Sequence, residues 1–213
     1  MVEVQSHGFT FERWVRDTLF DGYAGDYGQE WDIPADANHS TLLPTDLRGL
    51  PVSVKTAGFG TPIGLGDILR QRRIEQPFLM IVGFWRKHSE TEKWFEEIGW
   101  ARFSAESWSG LWGDLSPQSI CALDAKVKSH GVGQHEAARL FARNWKKNTP
   151  ELKSCRIVVN PKIDSKDQRR IQCSLPFKVF WEHAGREPQR QEQPRLFGRT
   201  FRNPVKSSPR SFK

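Results

Sequence analysis

The chain has 213 residues and 32 Lys/Arg against 25 Asp/Glu, a formal net charge of +7, and its length suffices for one good-sized core. It has no apolar run long enough to span a bilayer, and its start, MVEVQSHGFTFERW, lacks the basic-then-apolar pattern of a secretory signal, so the expectation is a cytoplasmic protein without a membrane segment. Cys121, Cys155 and Cys173 are odd in number and have no CxxC spacing, which suits a reducing compartment and argues against a disulfide framework or structural zinc.

In chain order, Phe11, Trp14, Val15 and Leu19 predict an amphipathic helix over 9–20. The glycine-broken run 21–28 ends it. Trp31-Asp32-Ile33 reads as a short strand stopped by Pro34, and 35–49 reads as loop. Residues 51–57 alternate apolar and polar, the pattern of a half-buried strand. A glycine-rich connection, 58–66, leads to a helix over 67–75 in which Asp67 can cap. Phe78–Trp85 is almost wholly apolar, as a central strand covered on both sides should be.

Residues 94–103 fit either strand or helix, and 105–112 and 119–128 read as helices. Over 134–147, Ala137, Ala138, Leu140, Phe141 and Trp145 form an inward face, with Arg139, Arg143, Lys146 and Lys147 outward. Residues 155–159 and 170–181 read as strands joined by a polar connector, 160–169. From Gly185 the composition turns to Arg, Gln, Pro and Ser, a basic tail. The prediction is α/β: a mixed sheet flanked by helices in a domain over 1–184, followed by a tail over 185–213.

The charge is uneven. Residues 126–170 hold 12 Lys/Arg against 4 Asp/Glu and residues 185–213 hold 8 against 2, while the remainder holds 12 against 19. An acidic first half beside a basic second half fits a metal-dependent enzyme with a polyanionic substrate.

Hydrolysis of a phosphodiester needs an activated water, neutralised phosphate charge and a stabilised leaving oxygen, which magnesium and a nearby lysine can supply. Strand alternation at 52–55 puts Ser53 and Lys55 on one face and Val52 and Val54 on the other. Asp32, at the end of the preceding predicted strand, can meet Lys55 across the sheet.

Asp32 with the triplet Ser53-Val54-Lys55, and Glu12 on the preceding helix, resembles the PD-(D/E)XK nucleases, and in particular the type II restriction endonucleases. The likeness covers roughly 9–85. It departs from that pattern at Trp31, where a proline is common, and at Ser53, where a second carboxylate is usual. What it implies is a restriction-endonuclease-like core, with Asp32, Lys55, Ser53 and Glu12 catalytic. It also implies a Mg2+ site drawn from Asp32, Glu12, Val54 and Asp67. Glu12 is the preferred replacement for the missing carboxylate, Asp67 stays open, and Asp36 is a third candidate.

The implied substrate is double-stranded DNA, cut sequence-specifically by a homodimer without a nucleotide cofactor. Within 161–170, Lys162, Lys166, Gln168, Arg169 and Arg170 are of the types that read base edges, and Arg139 and Arg143 suit phosphates. A solvated hairpin tip would look the same. His130 and His135 receive no role. A structure-specific repair or recombination nuclease and a non-catalytic nucleic-acid-binding protein stay open as alternatives. RNA binding by base stacking fits less well, because Trp14, Trp94, Trp112 and Trp145 fall at periodic core positions.

Overall fold

A computed structural model describes residues 6–25, 30–89, 91–166 and 168–206. Its elements in order are α1 (Ser6–Leu19), β1 (Val52–Gly58), β2 (Ile63–Asp67), α2 (Ile68–Arg72), β3 (Phe78–Lys87), β4 (Glu92–Phe103) and α3 (Ala105–Gly110). There follow α4 (Pro117–Lys128), α5 (His135–Asn148), β5 (Val158–Ile163), β6 (Arg169–Leu175), α6 (Phe177–Ala184), β7 (Arg195–Leu196), β8 (Arg199–Thr200) and β9 (Val205–Lys206). The class is mixed α/β, as expected. No helix among the described residues is long and apolar enough to cross a membrane.

The chain divides into two units, one of 1–63, 77–103 and 177–213, the other of 64–76 and 104–176. This replaces the expected division at 184. In the first unit β1, β3, β4 and β9 form a mixed sheet in that order, with β1 parallel to β3 and the other pairs antiparallel. Phe11, Val15 and Leu19 of α1 are buried against Val52, Val54, Leu79 and Ile81, the burial their helical spacing calls for.

Two glycines let helices approach the sheet. A Cβ on Gly83 would stand 2.6 Å from the Phe95 ring and 2.9 Å from that of Phe11, and one on Gly99 would stand 2.6 Å from the Trp181 ring. Gly83 lies opposite Ile98 and Gly99 opposite Val82, so these two glycines face opposite sides. Hence α1 covers one face of the sheet and α6 the other.

In the second unit β2, β6 and β5 form a three-stranded sheet. Trp108 and Trp112 are fully buried there, and the Trp108 indole donates to the Gln71 carbonyl at 2.9 Å. Trp112 is thus core as expected, whereas Trp14, Trp94 and Trp145 are half-buried.

Several elements differ from the sequence expectation. The glycine-rich 58–66 connection contains most of β2, and 92–103 resolves as strand. The apolar run over 170–181 is not one strand: it breaks at Pro176 into β6 and α6, because proline ends the strand and the following Phe-Lys-Val-Phe-Trp presents a helical face. On α5 the inward face is Ala138 and Ala142, while Ala137 is exposed and Leu140 is 54% exposed. The stripe is therefore rotated by about one position from the one expected.

The segment after 185 is the largest correction. Leu196, Phe201 and Val205 are buried in the core of the first unit, so through 206 it is part of that core and not a tail; 207–213 lie outside the described residues. A few well-spaced apolar side chains suffice to dock an otherwise polar segment.

Gly83→Ala or Gly99→Ala should overpack the sheet and lower unfolding free energy by about 1–3 kcal/mol. Urea denaturation measures this, and a midpoint unchanged in both variants would show that the facing rings have room to move.

Candidate active site

Residues 31–33 form no strand. A single antiparallel bridge joins Ile33 to Val52 at the free edge of β1, with Val52 N donating to Ile33 O at 2.8 Å and Ile33 N to Val52 O at 3.2 Å. Trp31 and Ile33 are buried on either side of half-buried Asp32. The bridge aligns Asp32 with the next residues of β1. Its Oδ2 accepts from Val54 N at 2.6 Å and Lys55 Nζ at 3.1 Å, and from Ser53 Oγ at 3.5 Å, the outer limit of bonding. Among the described residues its Oδ1 receives no hydrogen bond. Lys55 Nζ also donates to the Val54 carbonyl at 3.1 Å. Asp32, Ser53, Val54 and Lys55 thus meet, as the sequence pattern anticipated.

Glu12 joins them from α1. Its Oε1 pairs with Arg16 Nη2 at 2.6 Å, one helical turn on. Burial, and next the charge of Asp32, raise its pKa above the ordinary 4.5, while Arg16 and Lys55 pull the other way. Asp32 and Glu12 are therefore near enough to repel, and each carries a cation, Lys55 and Arg16 respectively. Arg16 went unnoticed in the sequence, although its i+4 spacing from Glu12 signals the pair. His7, also on α1, is buried with Lys93 Nζ 2.9 Å from its Nδ1. Burial, then Lys93, lower its pKa to about 4, so it is neutral near pH 7 and holds no acidic proton there.

The other candidates are placed differently. Asp67 caps α2 in the second unit, its Oδ1 accepting from Arg70 N at 2.9 Å. Asp36 lies in a short 3-10 turn and lines, with Tyr23, Glu30, Trp31, Pro34 and Ala37, a cleft of about 630 Å³. Arg139 donates twice to the Ile163 carbonyl, at 3.0 and 3.1 Å, and pairs with Glu136. Arg169 donates to the carbonyls of Asp164, Gln168 and Gly131. Both arginines are struts of the β5–β6 hairpin, whose tip Asp164 organises by accepting from Lys166 N and Gln168 N. Lys162, Lys166, Arg170 and Arg143 are exposed, Gln168 is half-buried, and Asp167 of the same connector lies outside the described residues.

No group of three or more His, Cys, Asp or Glu among the described residues is arranged to hold a metal. What the site offers is the Asp32 carboxylate, the Val54 carbonyl, and the Glu12 carboxylate close enough to feel the charge of Asp32. That is a donor set of hard oxygens, of the kind from which magnesium takes one or two carboxylates and completes its shell with water and substrate. A divalent cation would also relieve the repulsion between Glu12 and Asp32, so these residues fit one. Compared with protein-family models, curated proteins and solved structures, the chain matches none.

Because the folded state raises the Glu12 pKa, the stability tied to its protonated form is complete below its ordinary value and lost as pH rises through the folded value. Glu12→Gln should therefore melt at a higher temperature than wild type near pH 7, with the gap closing toward about pH 4. Thermal melts at both pH values check this; a variant less stable near pH 7 would mean that the Arg16 pair outweighs burial and repulsion.

Proposed function

We propose that the chain is a magnesium-dependent endonuclease that cuts double-stranded DNA sequence-specifically, as the type II restriction enzymes it resembles do. The observation that carries this reading is the Asp32–Lys55 pair at 3.1 Å on one sheet edge, with the Glu12 carboxylate beside it. In the proposed mechanism Asp32, Glu12 and the Val54 carbonyl would hold the metal. Bound magnesium would neutralise the phosphate and lower the pKa of a water. Lys55 Nζ, positioned by Asp32 and the Val54 carbonyl, donates a hydrogen bond to the attacking water or to the phosphate oxygen as charge builds there. Ser53 contributes its hydroxyl to Asp32 and no metal ligand. Arg16 neutralises Glu12 in the free chain, and an entering phosphate competes for its guanidinium.

Charge supports the choice of substrate. The second unit holds 15 Lys/Arg against 9 Asp/Glu, a surplus of six, whereas the first holds 17 against 16. On the β5–β6 hairpin Lys162 stands directly opposite Arg170, a like-charge pairing that costs stability unless an anion lies across it. Lys162, Lys166, Gln168 and Arg170 are therefore the proposed DNA contacts of this hairpin. Cutting both strands of a palindromic site would take a second copy of the chain.

Incubated with phage DNA and magnesium, the protein should give discrete fragments on a gel, and none in excess EDTA. Asp32→Ala and Lys55→Ala should each lose activity by ~10²–10³ or more while keeping the wild-type circular dichroism spectrum. Full activity in EDTA, or Lys55→Ala within about tenfold of wild type, rules the reading out. Gln168→Ala and Arg170→Ala should weaken discrimination between DNA sites by about 1–3 kcal/mol per lost base contact. Equal weakening on every sequence would make them phosphate contacts.

A further inference from the structure

The segment after 185 carries two kinds of arginine. Arg186 and Arg190 are structural: Arg186 pairs with buried Glu97 at 2.8 Å and lies over the Trp181 ring, and Arg190 lies over Phe59, 3.7 Å from Glu96. Arg195, Arg199 and Arg202 are exposed and, among the described residues, form no ion pair and no side-chain hydrogen bond. Residues 193–206 contain no Asp or Glu. Lys206 is set apart because it stands across from Glu92.

The backbone bearing these three arginines is held firmly. Asn203 accepts from Phe95 N at 2.9 Å and donates to Phe95 O at 2.7 Å, mimicking a strand partner, and Gln191 N donates to Glu96 O at 2.7 Å. β7 and β8 form a hairpin turning at Phe197 and Gly198, with φ of 46° and 79°. Glycine takes that conformation freely, but a phenylalanine there is strained and needs its surroundings to hold it. The Phe197 ring packs at a tilt against Trp100 with centroids 5.4 Å apart. Leu196 and Phe201 are buried beneath, and Phe201 meets Trp14 and Phe11 of α1 edge-on at 5.1 and 5.7 Å.

A loose tail would let three like charges spread apart in water. This fold instead fixes them within eight residues of a segment without Asp or Glu, Arg195 and Arg199 on opposite faces of the β7–β8 hairpin, and holding three like charges there opposes folding. A partner with regularly spaced negative charge reverses the sign of that effect, and guanidinium groups match phosphate oxygens in pairs. The arm also packs on α1, the helix that carries Glu12 and Arg16.

We propose that Arg195, Arg199 and Arg202 form a phosphate-binding track for the backbone of duplex DNA, a contact surface additional to the β5–β6 hairpin. The identity of the duplex as substrate rests on the nuclease reading; the track itself does not require catalysis.

The test is binding of a fluorescent duplex by the full chain in calcium, followed by anisotropy across a salt series. Replacing all three arginines by Gln should reduce the slope of log affinity against log salt by about 2–3, close to one per lost phosphate contact. Each single substitution should remove about one, and Arg199→Lys should keep the slope because the charge stays. Thermal melting should be unchanged or higher, since Leu196, Phe201 and Asn203 are untouched. If wild type cuts DNA and the triple variant keeps the wild-type slope, the track is wrong and the nuclease reading stands. If wild type binds with the expected slope but never cuts, the nuclease reading is wrong and the track stands. Stronger binding of single-stranded RNA or an acidic peptide than of the duplex, dependent on the same arginines, overturns the track as a duplex surface.

Discussion

Two backbone hydrogen bonds between Ile33 and Val52 determine where the candidate chemistry sits. Among the described residues they are the entire backbone pairing of this segment with the sheet, yet they set a register in which the Asp32 carboxylate reaches Val54 N and Lys55 Nζ. A slip of one residue would send that side chain to the opposite side, because strand side chains alternate. Burial of Trp31 and Ile33 makes the slip unfavourable, since it would expose both and bury the carboxylate.

Around that fixed point the charges are arranged as two carboxylate–cation pairs. Asp32 with Lys55 and Glu12 with Arg16 leave the free site close to neutral. The two acids still oppose each other, since Asp32 raises the Glu12 pKa. Each acid thus has a cation of its own, yet a repulsion between the two acids persists in the fold.

The region after 185 shows how little apolar material is needed to recruit a polar segment. Leu196, Phe201 and Val205 enter the core, and Glu97 is buried to receive Arg186 and the Gln189 amide at 2.8 and 2.7 Å. Average composition hid this, since a few apolar positions among many polar ones raise the mean hydropathy only slightly although Leu196, Phe201 and Val205 are all buried. Pro176 had the opposite effect: it was visible, yet the apolar residues on both sides of it read as one strand, although proline interrupts a ladder wherever it falls in a central position.

From sequence alone the alternation at 52–55, the helical stripe of Phe11, Val15 and Leu19, and the apolar strand from Phe78 were legible, because periodicity is a local consequence of backbone geometry. These sufficed to bring Asp32, Ser53, Lys55 and Glu12 together in expectation. Tertiary structure alone decided that Asp32 is held by one bridge and not a strand, and that Arg139 and Arg169 brace a hairpin. It also decided that Asp67 caps a helix in the other unit. Each of these depends on which groups compete for a charged side chain in space. Spacing shows which partners are near along the chain, such as Arg16 for Glu12 and Arg70 for Asp67, but not the groups that folding brings in from elsewhere, such as the carbonyls of Ile163 for Arg139 and Gly131 for Arg169.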